Sequence, residues 1–468
     1  MSQYKMLVAG QLVEGTSTLD VINPATGDTF TSVPRASKED VMIAVAAAKE
    51  AQLLWKHVPE EERRAVVNKI ADAIAANAEE LAKAVTLEQG KVLDFARMEV
   101  QFAEAFCRSL ASHEFPVKIL EETETTRVEE HRTPLGVVAG IIPWNFPLLI
   151  AAYKLSPALV TGNAIILKPA PTTPVSTLIL GRIIADIVPK GLVSVIVDNN
   201  DLGPTLTSHP DIAKISFTGS TPTGKAIMKS AADTMKRLTL ELGGNDAAIV
   251  LDDADPKTIA PGIFGSAFIN SGQVCIALKR LYVHESIYDE LCDEIATLAN
   301  NAVVGNGMDE GVQFGPVQNK AQYEKVLSYI AAGKAEGTVI AGGEAPDQPG
   351  YVIPLTVIKD LKDGCILVDE EPFGPVLPIV KYSNLDDVIA SANNSKMGLG
   401  GSVWSSNIER ASQVAARLDT GTVWINQHCA FGPQIHMAPA KESGVGAEWG
   451  KEGVKEFTAC KIININKA

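Results

Sequence analysis

From Leu135 onward, short apolar runs alternate with stretches long enough to be helices. No other feature of the chain constrains its fold as tightly. LGVVAGII (135–142), NAIILK (163–168), SVIV (194–197), AKISF (213–217), RLTLEL (237–242) and DAAIVL (246–251) read as buried strands. They lack the polar alternation of a half-solvated sheet. A strand apolar on both faces is covered on both faces, and helices between strands supply the cover. A second block, with strands near RLYV (280–283), VLPIVKY (376–382) and GTVWIN (421–426), repeats the pattern. The sequence therefore predicts an α/β protein with two doubly wound parallel sheets. Its 468 residues exceed one ordinary core, which agrees.

Ahead of these blocks the chain reads as helical. Ser37 is a fitting N-cap with Asp40 in the first turn, and Val41, Ala44, Val45 and Ala48 follow at helical spacing. A second helix is expected from Pro59, with Glu60, Glu61 and Glu62 at its positive end, running towards Gly90. Two polar extended pieces, 125–133 and 460–467, cannot bury themselves alone. They fit an arm in which they pair with each other or with a partner subunit.

The net charge of −15 would repel a phosphate backbone, so no nucleic-acid partner is expected. No apolar run is long enough for a membrane span, and the first residues lack a signal-peptide pattern. Six scattered cysteines without a CxxC pair suggest reduced thiols and a cytoplasmic location. The seven histidines form no HExxH, and no metal site is expected.

In parallel sheets ligands gather at the carboxyl ends of strands, so residues there carry the functional reading. Cys275, in FINSGQVCIALKR, follows a glycine break that can expose a nucleophilic thiol; the plain alternative is a small buried hydrophobe. Glu241, in RLTLELGGND, is either a solvated strand end or a base in a partly apolar site. Asn145, in IIPWNFP, is an oxyanion donor or simply a turn residue. Lys168 ends a strand and can reach ribose or phosphate, or merely snorkel. Gly219 and Ser220, in ISFTGSTPTGKA, lie between a strand and a helix, where backbone N–H groups can hold phosphate. The ordinary dinucleotide fingerprint GxGxxG is absent.

Six motifs in order, PWNFP, KPAPTTP, FTGSTPTG, LELGG, GQVC and EEPFGPV, resemble the aldehyde dehydrogenase superfamily. The likeness runs from VINPATGD (21–28) to SGVGAEWG (443–450). It implies a cofactor domain (1–122 and 134–243), a catalytic domain (244–445) and an oligomerisation arm (123–133 and 446–468), with a homodimer or homotetramer as the assembly. It implies that Cys275 is the nucleophile, Glu241 the general base and Asn145 the oxyanion-holding amide, helped by the Cys275 N–H. Lys154 and Glu448 match residues that support the base. Lys168 and Glu371 match holders of the ribose hydroxyls, and Trp144, Phe373, Gly219, Ser220 and Gly224 match other parts of a site for NAD or NADP. NAD-selective relatives often carry an acid three positions after the lysine. Here Pro171 stands there, so both dinucleotides are expected to be accepted.

The chain departs from many relatives at Met437, Ala438 and Pro439, where a Phe-Gly-Gly stretch is common, and at Ala447, where arginine is common. These departures bear on the substrate entrance and the subunit contact. Phe146, Ile150, Tyr153, Val274, Ile276, Cys429 and Phe431 flank the expected site, and none of these segments holds an arginine to grip a second carboxylate. The expected substrate is an uncharged aldehyde, aromatic or medium-chain, oxidised to the acid through a thiohemiacetal and a thioester on Cys275. A CoA-acylating enzyme would not need Glu241. A cofactor-free thiol hydrolase would not need Lys168, Glu371 and the FTGS turn. An inactive protein on the same fold would not need the intact catalytic set.

Overall fold

A computed structural model describes residues 3–468. The expected strands form two sheets. The first runs Gln11–Val13, Met6–Val8, Val193–Val195, Ala164–Lys168, Val137–Ile141, Ile212–Thr218, Arg237–Glu241, Gly444–Val445. Its five inner strands are parallel; Met6–Val8 and Gly444–Val445 flank them antiparallel, and Gln11–Val13 pairs antiparallel with Met6–Val8. The second runs Thr338–Ala341, Thr356–Leu361, Val376–Tyr382, Leu278–His284, Asp246–Val250, Gly400–Trp404, Thr422–Ile425, parallel throughout except at Thr338–Ala341.

Strand order fixes where a ligand sits. From Val137–Ile141 the chain winds outward through Ala164–Lys168 to Val193–Val195, then returns to place Ile212–Thr218 on the other flank of Val137–Ile141. The loops leaving these two strands diverge in opposite directions. The crevice so opened lies at their carboxyl ends. Asn145 follows one strand, and Gly219 and Ser220 follow the other. The helix Pro147–Val160 dives between layers, and all 14 of its residues are buried. It shows no polar face because it has none to solvate.

The helical segment departs from the single helix expected after Pro59. Glu60–Ala76 ends at Asn77, and Ala78–Gln89 begins there. The Asn77 Nδ2 donates to the Ala73 carbonyl at 2.8 Å, a local bond that competes with the helical ladder. Gly90, at φ +96°, ends the second helix as expected. Ser37 and Asp40 form a reciprocal capping box on Lys38–Trp55.

The polar extended pieces do pair: Thr458–Asn466 lies antiparallel along Thr126–Pro134, in register from Thr458 opposite Pro134 to Asn466 opposite Thr126. Lys118–Glu122 adds a third, wholly exposed strand, so this sheet begins ahead of residue 123. On the C-terminal side it begins at Thr458. The preceding Glu448 and Trp449 are buried instead, Glu448 because its carboxylate meets an interior ammonium. The Asn163 side chain roots the sheet: its Oδ1 accepts from the Leu135 and Gly136 N–H groups, and its Nδ2 donates to the Phe457 carbonyl. Among the described residues no helix is long and apolar enough to cross a membrane, and no cluster of metal-ligating side chains occurs.

Candidate active site

A cavity of about 450 Å³ opens at the carboxyl ends of the first sheet. Cys275, Glu241 and Asn145 all line it, as do Trp144, Gly219, Ser220, Glu371 and Phe373. The seven residues expected at the substrate end, Phe146, Ile150, Tyr153, Val274, Ile276, Cys429 and Phe431, line it too. Residues more than 280 positions apart thus meet around one thiol.

The loop ahead of Cys275 is tightly held. Asn270, Ser271 and Gly272 adopt left-handed backbone (φ +50°, +56° and +73°) just before it. Such a run is costly for residues with a side chain and persists only where the surroundings hold it. Ser271 Oγ donates to the Gly315 carbonyl at 2.7 Å, and Gln273 Nε2 donates to the Asn270 carbonyl at 2.9 Å. The sequence motifs did not reveal Lys279. Its buried ammonium donates to the carbonyls of Val274 and Cys275, both at 2.7 Å, and lies 3.3 Å from Glu371. Burial pushes the thiol well above its ordinary pKa, and the Lys279 ammonium works against that rise. Cys275 therefore rests as a thiol and needs a base to become the thiolate.

Glu241 ends its strand wholly buried, and neither carboxylate oxygen has a protein partner. Burial raises its pKa well above the usual carboxylate range; Glu448 adds to the rise and Lys154 opposes it. Behind it, Lys154 and Glu448 pair at 2.6 Å, and Ser216 bonds to both. This pair lies outside the cavity wall, so its influence on Glu241 is through charge.

Asn145 is pinned by its backbone. Its carbonyl accepts from Lys91 Nζ at 2.9 Å and from Asn270 Nδ2 at 3.3 Å. Its amide Nδ2 donates to the Gln273 carbonyl at 3.0 Å. One amide N–H is thereby fixed and the second is left for a developing oxyanion. Lys91 itself pairs with buried Glu99 at 2.6 Å, and Glu99 accepts from the first-turn N–H groups of Leu148 and Leu149.

The cavity has two halves. One holds Gly219 and Ser220 after a first-sheet strand, with Gly243, Glu371, and Gln322 and Lys325 of the helix Lys320–Glu336. Ser220 caps no N–H of the helix Thr221–Ala232; its hydroxyl bonds Thr223 instead. Buried Thr221 Oγ1 has no protein partner. A helix end left open beside an orphaned hydroxyl fits an anionic dinucleotide bridge. Trp144 and Phe373 meet edge to face, 5.3 Å apart. A side chain at Gly243 would collide with the Glu371 carboxylate, so glycine there keeps that carboxylate open to the site. Three residues expected at this site do not line the cavity. Gly224 packs its backbone against Leu242, Lys168 pairs with Asp198 at 2.6 Å, and Pro171 lies in the turn beyond.

The other half is aromatic. Phe95, Phe102, Phe146, Tyr153, Phe431 and Trp449 line it, joined by Met98 and Met437. Phe102 and Phe431, and Phe431 and Trp449, stand 5.5 Å apart, and Trp449 lies 5.7 Å from Tyr153. Met437 and Glu448 exchange backbone hydrogen bonds at 2.8 and 2.9 Å, which presents Met437 and Trp449 to the cavity. No arginine lines either half.

Comparison with known proteins agrees with this arrangement. Residues 12–463 match the profile of the Aldehyde dehydrogenase family. A phenylacetaldehyde dehydrogenase of Pseudomonas fluorescens is 38% identical over 482 aligned positions, covering 99% of this chain and 96% of its own. The NAD+ complex of an aldehyde dehydrogenase from Bacillus cereus superposes with a TM-score of 0.97 at 37% identity, covering 99% of this chain and 97% of that one. Betaine aldehyde dehydrogenase from Staphylococcus aureus, solved with NAD+, gives 0.96 at 33% identity over 99% and 95%. The chain belongs to the aldehyde dehydrogenase family and is an NAD(P)-dependent enzyme that oxidises aldehydes.

Proposed function

We propose that the enzyme oxidises uncharged, apolar aldehydes, aromatic or medium-chain, to carboxylic acids through a thioester on Cys275. The observation that carries this reading is the aromatic half-cavity without an arginine beside Cys275. A carboxylated semialdehyde would leave its second charge unpaired there. Glu99 also lines this half, but its carboxylate is paired with Lys91.

The chemistry follows from the residues. The Cys275 thiol loses its proton to solvent through the open cavity, and the thiolate attacks the carbonyl carbon. The free Asn145 N–H and the Cys275 N–H hold the oxyanion; such a donor is worth about 3 kcal/mol in other enzymes. Trp144, Gly219, Ser220, Glu371 and Phe373 would hold the dinucleotide, whose nicotinamide would supply the hydride acceptor. Loss of hydride from the oxyanion adduct leaves a thioester. Glu241 then takes a proton from water, the water oxygen attacks the thioester carbon, and the thiol leaves as the acid is released. An unpaired carboxylate has no purpose if CoA takes the acyl group, which favours water as the acceptor.

Comparing kcat/KM for benzaldehyde, phenylacetaldehyde, hexanal and succinic semialdehyde tests the reading. The apolar aldehydes should lead succinic semialdehyde by a hundredfold or more, about 3 kcal/mol. A preference for succinic semialdehyde overturns it.

A further inference from the structure

Lys168 ends the strand Ala164–Lys168, and Asp198 lies three residues beyond the neighbouring parallel strand Val193–Val195. Their strand ends bring the side chains together at 2.6 Å. Both are buried, Asp198 completely. The Asp198 carboxylate is doubly committed: one oxygen faces the Lys168 ammonium, and the other accepts from the Leu202 N–H at 2.8 Å. Asn200 Oδ1 stands 3.4 Å from the same ammonium, on left-handed backbone (φ +60°). Lys168 is therefore a cation already neutralised by a fixed anion, with a proton left to donate.

A donor of this kind suits neutral hydroxyls. It does not suit a phosphate ester, which brings nearly two negative charges. Beside Lys168 a phosphate would meet the Asp198 carboxylate within the reach of unscreened charges, because water is excluded from the pair. The acid missing at Pro171 has an equivalent on a different strand. We infer that Asp198 is a specificity-determining residue that makes the enzyme favour NAD+ over NADP+ by holding Lys168 as a hydroxyl donor. This rests on the reading that Lys168 holds the adenosine ribose. Both dinucleotides remain compatible with the family, and the ion pair sets their order.

Calorimetric titration of the purified enzyme with NAD+ and with NADP+ tests the inference without turnover. The wild-type enzyme should bind NAD+ at least tenfold more tightly than NADP+. Asp198→Asn should shrink that ratio at least tenfold, mainly by tightening NADP+, with the Kd for NAD+ changed less than threefold. Asp198→Ser, which cannot pair with the ammonium and is smaller, should move the ratio the same way; it serves as the reporter if the asparagine variant melts below the assay temperature. Equal affinities in the wild type, or a ratio unmoved by both substitutions, overturns the inference. Lys168→Met separates this from failure of the ribose reading. If that variant leaves both dissociation constants unchanged, Lys168 does not hold the ribose and the inference falls with it. If it weakens NAD+ tenfold while the Asp198 variants do nothing, only the role of Asp198 fails.

Discussion

The two halves of the cavity are built by opposite means. The cofactor half mixes glycine turns, an open helix end and strand termini with a few polar side chains, among them Gln322, Lys325 and Glu371. The substrate half is side chain: six aromatic rings and two methionines drawn from the helices Leu93–Ala111 and Pro147–Val160 and from the late loop near Met437. The backbone N–H groups of the first cannot be repacked by substitution. The second can change by substitution without touching the sheet. Apolar pockets also discriminate weakly, about 1–3 kcal/mol per methylene, so a broad aldehyde range follows. Between the halves sit Cys275, Glu241 and Asn145, which belong to neither.

Three substitutions should separate these zones. The largest effect belongs to the boundary. Cys275→Ala should lower turnover by about 10⁴-fold or more, since it removes the thiol on which the acyl intermediate forms. NAD+ affinity by calorimetry should stay within threefold. Turnover above a few per cent would remove Cys275 from its role, and lost NAD+ binding would show the halves are not independent.

Glu241→Gln should be smaller and confined to one step, about 10²–10³-fold on the steady state. Rapid mixing should show a burst of reduced nicotinamide followed by slow turnover. The pH profile gives a second check. Burial holds the Glu241 carboxyl protonated above its ordinary range, so the base appears as pH rises through that raised pKa. Deacylation should climb across a pH range well above 4.5 in the wild type and flatten in the variant. Loss of the burst itself would assign Glu241 to thiol activation.

Phe431→Ala should have the smallest effect and the most local one. Removing a ring that touches both Phe102 and Trp449 should reduce kcat/KM for benzaldehyde about tenfold, or about 1.4 kcal/mol. The Kd for NAD+ should not move. An equal loss with acetaldehyde would mean the ring supports the fold rather than the substrate.

The same division explains what the sequence disclosed. The parallel sheets were legible because strands buried on both faces must be continuously apolar, and residues 376–382 form a strand with the expected bounds. The cofactor half and the boundary were legible because glycines, a thiol and a carboxylate at strand ends leave marks in short motifs. The aromatic wall was only half visible. Phe95, Met98 and Phe102 recur on one helix face, but a helix packing on any core shows the same stripe. Lys91, Lys279 and Asp198 were invisible for another reason. Each is buried and paired only by the fold, and nothing local distinguishes a buried lysine or aspartate from a solvated one. The break at Asn77 was missed because one asparagine within a long helical pattern is usually tolerated.

The C-terminal strand Thr458–Asn466 begins nine residues after Trp449 and ten after Glu448. The outermost sheet and the innermost wall of the cavity are thus neighbouring stretches of one short tether, rooted at Asn163. In mechanical terms the tail is a drawstring: tension or slack in the exposed sheet reaches Trp449 through Phe457 along a few residues of chain. Clipping or loosening that strand should open the aldehyde half while both sheets stay folded, so the enzyme would lose its hold on substrate before it lost its shape.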